Sequence, residues 1–270
     1  MSELPTSSVK VNGHELRYFD SGGDGPPVLL GHGYFLDRTV FAPQVEALAP
    51  RCRLICWDAP AHGDTPGRDE RMTYWDLARD LIGLMDHLGL ESAVVGGISQ
   101  GGFVALRLAL LAPERVRALV LADTEATALD DADRTGYEGM FAALREAGPV
   151  DELLVPLSAQ LLGDGQHAAR WRQRWRDQAA LPLGTTTRCL LERDDVSDRL
   201  AEITCPALLI WGSEDVSLPR DRMELLAARL PGAGAVQVIA GAAHTPALTH
   251  PEQVNPLLER FLQDHSGLRG

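Results

Sequence analysis

Gly96-Gly97-Ile98-Ser99-Gln100-Gly101-Gly102 sets one hydroxyl among glycines at the point where an apolar run gives way to a helical pattern. Upstream, Ala93-Val94-Val95 reads as a short buried strand. Downstream, Phe103 to Leu111 is apolar at helical spacing and is stopped by Pro113. The spacing therefore predicts strand, sharp turn, helix, with Gly97 and Gly101 flanking Ser99 as G-x-S-x-G. Small residues on both sides let a strand run directly into a helix and hold the serine in a strained, protruding conformation. Glycine and serine are common, and an ordinary strand-to-helix turn gives the same pattern. The reading of Ser99 as a nucleophile thus requires a base and an acid elsewhere in the chain.

Bulk properties narrow the field. A chain of 270 residues fits one α/β core with an insertion. A net charge of −13 and a pI near 5.0 argue against nucleic-acid binding, which draws on clustered Lys and Arg. Cys52, Cys56, Cys189 and Cys205 lack metal-ligand spacing, and Cys52 and Cys56 fall within or beside one strand, where they hardly bond each other. Free thiols fit a reducing cytoplasm. Met1 to Lys10 is polar, and no apolar run approaches the ~18 residues of a membrane span, so neither export nor insertion is expected.

Outward from the serine, the chain alternates strands and helices. Val9 to Tyr18 reads as a hairpin about Asn12-Gly13, since both turn positions tolerate positive φ. Val28-Leu29-Leu30 is a buried strand ending in Gly31-His32-Gly33-Tyr34. Leu54 to Trp57 ends at Asp58, and Ala118 to Ala122 ends at Asp123-Thr124. Thr73, with Asp76 three residues on, caps a helix over Tyr74 to Leu88 that Gly89 stops. Ala207 to Trp211 and Val236 to Ile239 are the last strands, and Pro251 to Leu262 is the closing helix, with Pro256 a kink or a late first-turn position. Strand starts recur about every 25 to 40 residues, the length of a βα repeat that builds a parallel sheet. One interval breaks this rhythm: Leu129 to Arg199 is helical in pattern, with breaks at Gly148-Pro149, Gly163-Asp164-Gly165 and Pro182-Leu183-Gly184, and reads as a cap of short helices.

In parallel α/β sheets functional groups gather at the carboxyl ends of strands. Those positions hold His32, Asp58, Ser99, Asp123, Asp215 and His244. Asp215 follows the Ala207 strand and His244 the last one, giving the order Ser, Asp, His. With these residues together, the chain resembles the α/β-hydrolase-fold superfamily, as a serine hydrolase with a helical cap, over essentially its whole length. The resemblance implies a doubly wound, mostly parallel, eight-stranded sheet formed by residues 1–123 and 200–270, with a cap over 124–199. It implies Ser99 as nucleophile, His244 as general base and then acid, and Asp215 as the carboxylate orienting it. Asp123 or Glu125 is the alternative acid, because some relatives carry it after the preceding strand. The Gly31-His32-Gly33-Tyr34 segment resembles the family's oxyanion loop, implying the backbone N–H groups of Tyr34 and Gln100 as oxyanion donors.

The chain also departs from the family pattern. Where many relatives have D-x-R-G-x-G, it has Asp58-Ala59-Pro60-Ala61-His62-Gly63, without the arginine and one glycine. Ser99 sets it apart from relatives that use aspartate as nucleophile, and implies an acyl-enzyme. His32 either braces the oxyanion loop through backbone hydrogen bonds or touches substrate. Tyr34 presents a ring to the pocket, and Trp171 and Trp175, four apart, either pack the cap on the body or line the acyl pocket. Arg170, Arg172, Arg174 and Arg176 read as a solvated face. The expected activity is cofactor-free, metal-free hydrolysis of a small to medium, partly apolar ester or lactone. C–C bond hydrolysis, perhydrolysis with haloperoxidase activity, and a non-catalytic small-molecule receptor are the alternatives, and the oligomeric state stays open.

Overall fold

The computed structural model describes residues 4–178 and 181–265. Its eight strands are β1 Ser7–Val11, β2 His14–Asp20, β3 Pro27–Gly31, β4 Arg53–Trp57, β5 Ala93–Ile98, β6 Val116–Ala122, β7 Ala207–Gly212 and β8 Gln237–Ile239. They form one sheet in the order β1-β2-β4-β3-β5-β6-β7-β8. β2 is antiparallel to β1 and to β4, and the other neighbours are parallel. The hairpin turns at Asn12 and Gly13, with φ of 50° and 90°, so that Val11 pairs with His14. The expected eight-stranded, mostly parallel sheet is the observed one.

The helices are α1 Ala42–Leu48, α2 Tyr74–His87, α3 Gln100–Leu111, α4 Asp131–Ala147, α5 Asp151–Leu162, α6 Gln166–Asp177, α7 Thr185–Leu191, α8 Arg220–Arg229, α9 Pro246–Thr249 and α10 Pro251–His265. The Thr73 cap is a reciprocal box: Asp76 N–H donates to the Thr73 hydroxyl, and Thr73 N–H donates to the Asp76 carboxylate at 2.8 Å. Pro256 sits inside α10 and does not end it. α1 is preceded by a 3₁₀ turn, Arg38–Phe41, opened by Asp37, whose carboxylate accepts from the Thr39 N–H at 2.9 Å.

Every residue of β5 is buried, and α3 is buried from Gln100 to Ala109. Burying Val94, Val95 or Ile98 contributes on the order of 1.5–3 kcal/mol each relative to leaving it exposed. This strand-helix pair is the centre of the core, and the serine stands at their junction. α4 to α7 lie between β6 and β7, and their side chains meet the loops at the carboxyl ends of the strands. No helix among the described residues is long and apolar enough to cross a membrane, and the four cysteines are free.

Candidate active site

Ser99 takes φ 52° and ψ −114°, a left-handed backbone foreign to L side chains, at a cost of order 1–3 kcal/mol. The surroundings hold it there. Its N–H donates to the Ala122 carbonyl at 3.0 Å, and its own carbonyl accepts from the Gly102 N–H at 2.9 Å and the Thr124 hydroxyl at 2.8 Å. The flanking glycines are steric necessities. A Cβ on Gly97 or Gly101 would stand 2.2 or 2.1 Å from the Gly31 carbonyl oxygen, so the turn closes only against bare backbone.

Asp215 and His244 enter from the loops after β7 and β8, and both are buried. His244 Nδ1 lies 2.8 Å from Asp215 Oδ2. The other Asp215 oxygen accepts the N–H groups of Ser217 at 2.8 Å and Leu218 at 3.2 Å. A carboxylate so placed requires the proton on Nδ1, which leaves Nε2 with a lone pair. Ser99 and His244 line one cavity of about 500 Å³, solvent-open space included, with Tyr34, Phe35, Phe103 and Leu190 among its walls.

Asp123 stands behind this pair, fully buried, with φ 42°. One oxygen accepts the Gly212 N–H at 2.8 Å, and the other has no partner among the described residues. Burial and, secondly, the charge of Asp215 raise its pKa well above the usual carboxylate range. Ligand atoms of Asp123, Asp215 and His244 lie within 4.8 Å of one another, which makes them, among the described residues, the group close enough to share a cation. In the structure Asp215 faces His244 Nδ1 and two backbone N–H groups, and one oxygen of Asp123 accepts the Gly212 N–H.

The loop after β3 adjoins the serine, since a Cβ on Gly33 would be 3.5 Å from that of Ser99. Tyr34 follows Gly33, and Gln100 is the first residue of α3, whose leading N–H groups have no acceptor within the helix. The Tyr34 ring lines the cavity, while its hydroxyl donates to the Pro182 carbonyl and lies 3.1 Å from the Thr186 hydroxyl. This ties the β3 loop to the helices above. His32 does not line the cavity. Its Nε2 accepts from the Ala59 N–H at 3.0 Å, so Nδ1 donates to the Gly33 carbonyl at 2.8 Å, bracing two loops. Burial lowers its pKa to about 4.

Trp171 and Trp175 are likewise not among the residues that line this cavity. Both are buried, and the Trp175 indole N–H donates to the Phe35 carbonyl at 2.8 Å. The arginines on the same helix are not simply a solvated face. Arg174 pairs with buried Asp37 at 2.5 Å and lies over the Trp171 ring, and Arg172 bonds the Ser158 hydroxyl at 2.8 Å. In the departing Asp58 loop Ala61 takes φ 60°, and a Cβ on Gly63 would strike the Asp58 carboxylate at 2.3 Å. Asp58 itself pairs with buried Arg38.

One polar feature of the cavity wall was not anticipated. Buried Glu125 pairs with buried Arg193, and its second oxygen accepts from Thr127 at 2.7 Å and lies 3.3 Å from Arg222 Nη1. Glu125 entered the sequence reading only as a rival acid, and Arg193 stands in an unremarkable polar stretch with no signal of its partner.

Fold and relatives together place the chain among the hydrolases. It matches the family model described as alpha/beta hydrolase fold over residues 26–251, and it belongs to that family. It is 31% identical over 267 residues to the dihydrolipoyllysine-residue acetyltransferase component of an acetoin cleaving system from Pseudomonas putida, covering 95% of this chain and 69% of that protein. It is 32% identical over 259 residues to a putative carbamate hydrolase, RutD, from Azorhizobium caulinodans, covering 90% and 94%. Among solved structures, a thermophilic esterase from Thermogutta terrifontis, malate bound, superposes with a TM-score of 0.84 at 28% identity, covering 96% and 98%. Such relatives support a hydrolase.

Proposed function

We propose that the protein is a serine hydrolase that cleaves a carboxylic ester or lactone of a small to medium, partly apolar substrate through an acyl-enzyme, with residues 124–199 acting as a cap over the site. The observation that carries this reading is that a strained Ser99 and a His244 whose Nδ1 faces Asp215 line one cavity.

Ser99 Oγ attacks the carbonyl carbon while His244 Nε2 takes its proton. The developing oxyanion is met by the Tyr34 and Gln100 N–H groups, and positive charge on the imidazole is balanced by Asp215. His244 returns the proton to the departing alcohol oxygen. Water, deprotonated in turn by His244, then releases the acid and restores Ser99. Apolar walls and an acidic protein favour neutral substrates, and the named relatives, which include an esterase and a putative carbamate hydrolase, support acyl chemistry at carbonyl carbon. The free thiols support a reducing compartment such as the cytoplasm.

Purified protein incubated with a panel of p-nitrophenyl esters, lactones and C–C substrates tests the reading. Ester or lactone turnover that is lost in Ser99→Ala supports it. Turnover confined to C–C substrates, or reaction with a fluorophosphonate at no residue, contradicts it.

A further inference from the structure

A second hollow adjoins the cavity of Ser99. It lies between α4 and α5 and the loop after Asp215, with Gly136, Leu153, Pro156 and the 74%-exposed Val216 on its outer wall. Tyr137, Met140, Leu157, Gln160 and Ser217 line both hollows, so the outer groove and the serine cavity share a wall. On α4, residues 132, 133, 136, 137 and 140 face the groove at helical spacing, and on α5 residues 153, 156, 157 and 160 do so.

The residues at its centre are poor choices for the helices that carry them. Glycine in a helix interior costs about 1 kcal/mol relative to alanine, and proline about 3 kcal/mol. Gly136 and Pro156 face this groove from the two helices. No packing demand accounts for Gly136. Its φ is not in the left-handed region, and an added Cβ would meet no atom within 4 Å among the described residues. At Gly136 the missing side chain leaves width on the wall of a hollow that adjoins the serine cavity. The walls are chiefly apolar, and the charge at the edge is the carboxylate of Asp133.

We propose that this groove is the subsite for an unbranched, uncharged alkyl arm of the substrate, so that the esters preferred are those with one medium-length chain. The inference rests on the ester-hydrolase reading of Ser99. Met140 and Leu157 stand between the two subsites, and Gly136 sets the width of the outer one.

The test uses Gly136→Leu, which fills the groove with a better helix former, and Gly139→Leu as control, since Gly139 does not line the groove and also has open space at Cβ. kcat/KM is measured for p-nitrophenyl acetate through octanoate and for ethyl through octyl acetate, so that either arm is sampled. The expected result is that Gly136→Leu melts no lower than wild type, yet its ratio of long- to short-chain kcat/KM falls about tenfold or more in at least one series. The Gly139→Leu ratio stays at the wild-type value. An unmoved ratio in both series for Gly136→Leu overturns the proposal. Calorimetric binding of 2-decanone against 2-butanone gives a reading that needs no turnover. If wild type hydrolyses no ester, the catalytic reading fails, while tighter binding of 2-decanone that is lost in Gly136→Leu still supports the groove. Equal binding by wild type and variant overturns it.

Discussion

His244 Nδ1 and Asp215 Oδ2 lie 2.8 Å apart, and the Ser217 and Leu218 N–H groups hold the second oxygen of Asp215. Asp123 sits close behind with one oxygen unpartnered, and burial and then the charge of Asp215 push its pKa up. Two buried carboxyl groups so near each other do not both ionise, and the charge settles on the one with more donors. Asp215 has three to the single one of Asp123.

The two aspartates should therefore respond differently to amide substitution. Asp215→Asn removes the charge facing His244 and is expected to lower kcat by about 10³- to 10⁴-fold, as loss of a triad carboxylate does. Asp123→Asn replaces a neutral acid by a neutral amide that also donates hydrogen, and is expected to change kcat by only about threefold or less. Steady-state kinetics of the two variants on one ester decides the matter. A crippled Asp123→Asn beside an active Asp215→Asn would place the acid on β6.

Ala61 stands at φ 60° where the family pattern has a glycine. The left-handed conformation costs an L residue roughly 1–2 kcal/mol, and the greater freedom of glycine in the unfolded chain returns about 0.4–1 kcal/mol of that. Ala61→Gly should stabilise the protein by about 0.5–1 kcal/mol, read as a higher urea midpoint at unchanged slope. A lower midpoint would mean that the methyl group packs usefully.

His62 is buried, donates through Nδ1 to the Pro60 carbonyl at 2.9 Å, and packs against His32 with ring centroids 5.2 Å apart and planes tilted by 48°. Burial, and then the neighbouring His32, lowers its pKa from 6.5 to about 3. The unfolded chain therefore binds a proton between pH 6.5 and about 3 that the folded protein refuses, so this histidine costs stability as pH falls through that window. In urea titrations, His62→Gln should lose less stability than wild type between pH 7 and 4. Parallel pH dependences would refute the assignment.

The strand ends were legible because buried parallel strands are continuous apolar runs, and their ends name His32, Asp58, Ser99, Asp123, Asp215 and His244. The hairpin at Asn12-Gly13 and the cap at Thr73 were equally readable, since each is decided by neighbours in sequence. The side-chain partners between α4–α7 and the sheet were not. Trp175 meets the Phe35 carbonyl, Arg174 meets Asp37, and Glu125 meets Arg193, at sequence separations of 140, 137 and 68 residues. No local pattern encodes such pairings.

Glu125 offers a direct measure of that unanticipated cluster. Glu125→Ala strands the Arg193 guanidinium in the interior, for which about 3–5 kcal/mol of destabilisation is expected. Thermal or urea unfolding measures it, and replacing both residues by Met should recover most of the loss. An undiminished stability in Glu125→Ala would show that Arg193 finds another acceptor.

Covalent labelling bears most directly on Ser99 as a nucleophile activated by His244. Wild-type protein treated with a fluorophosphonate should gain one adduct by intact mass, mapped to the peptide bearing Ser99, absent in Ser99→Ala and formed at least about a hundredfold more slowly in His244→Ala. An adduct at another residue, none at all, or equal labelling rates in His244→Ala and wild type would contradict the account.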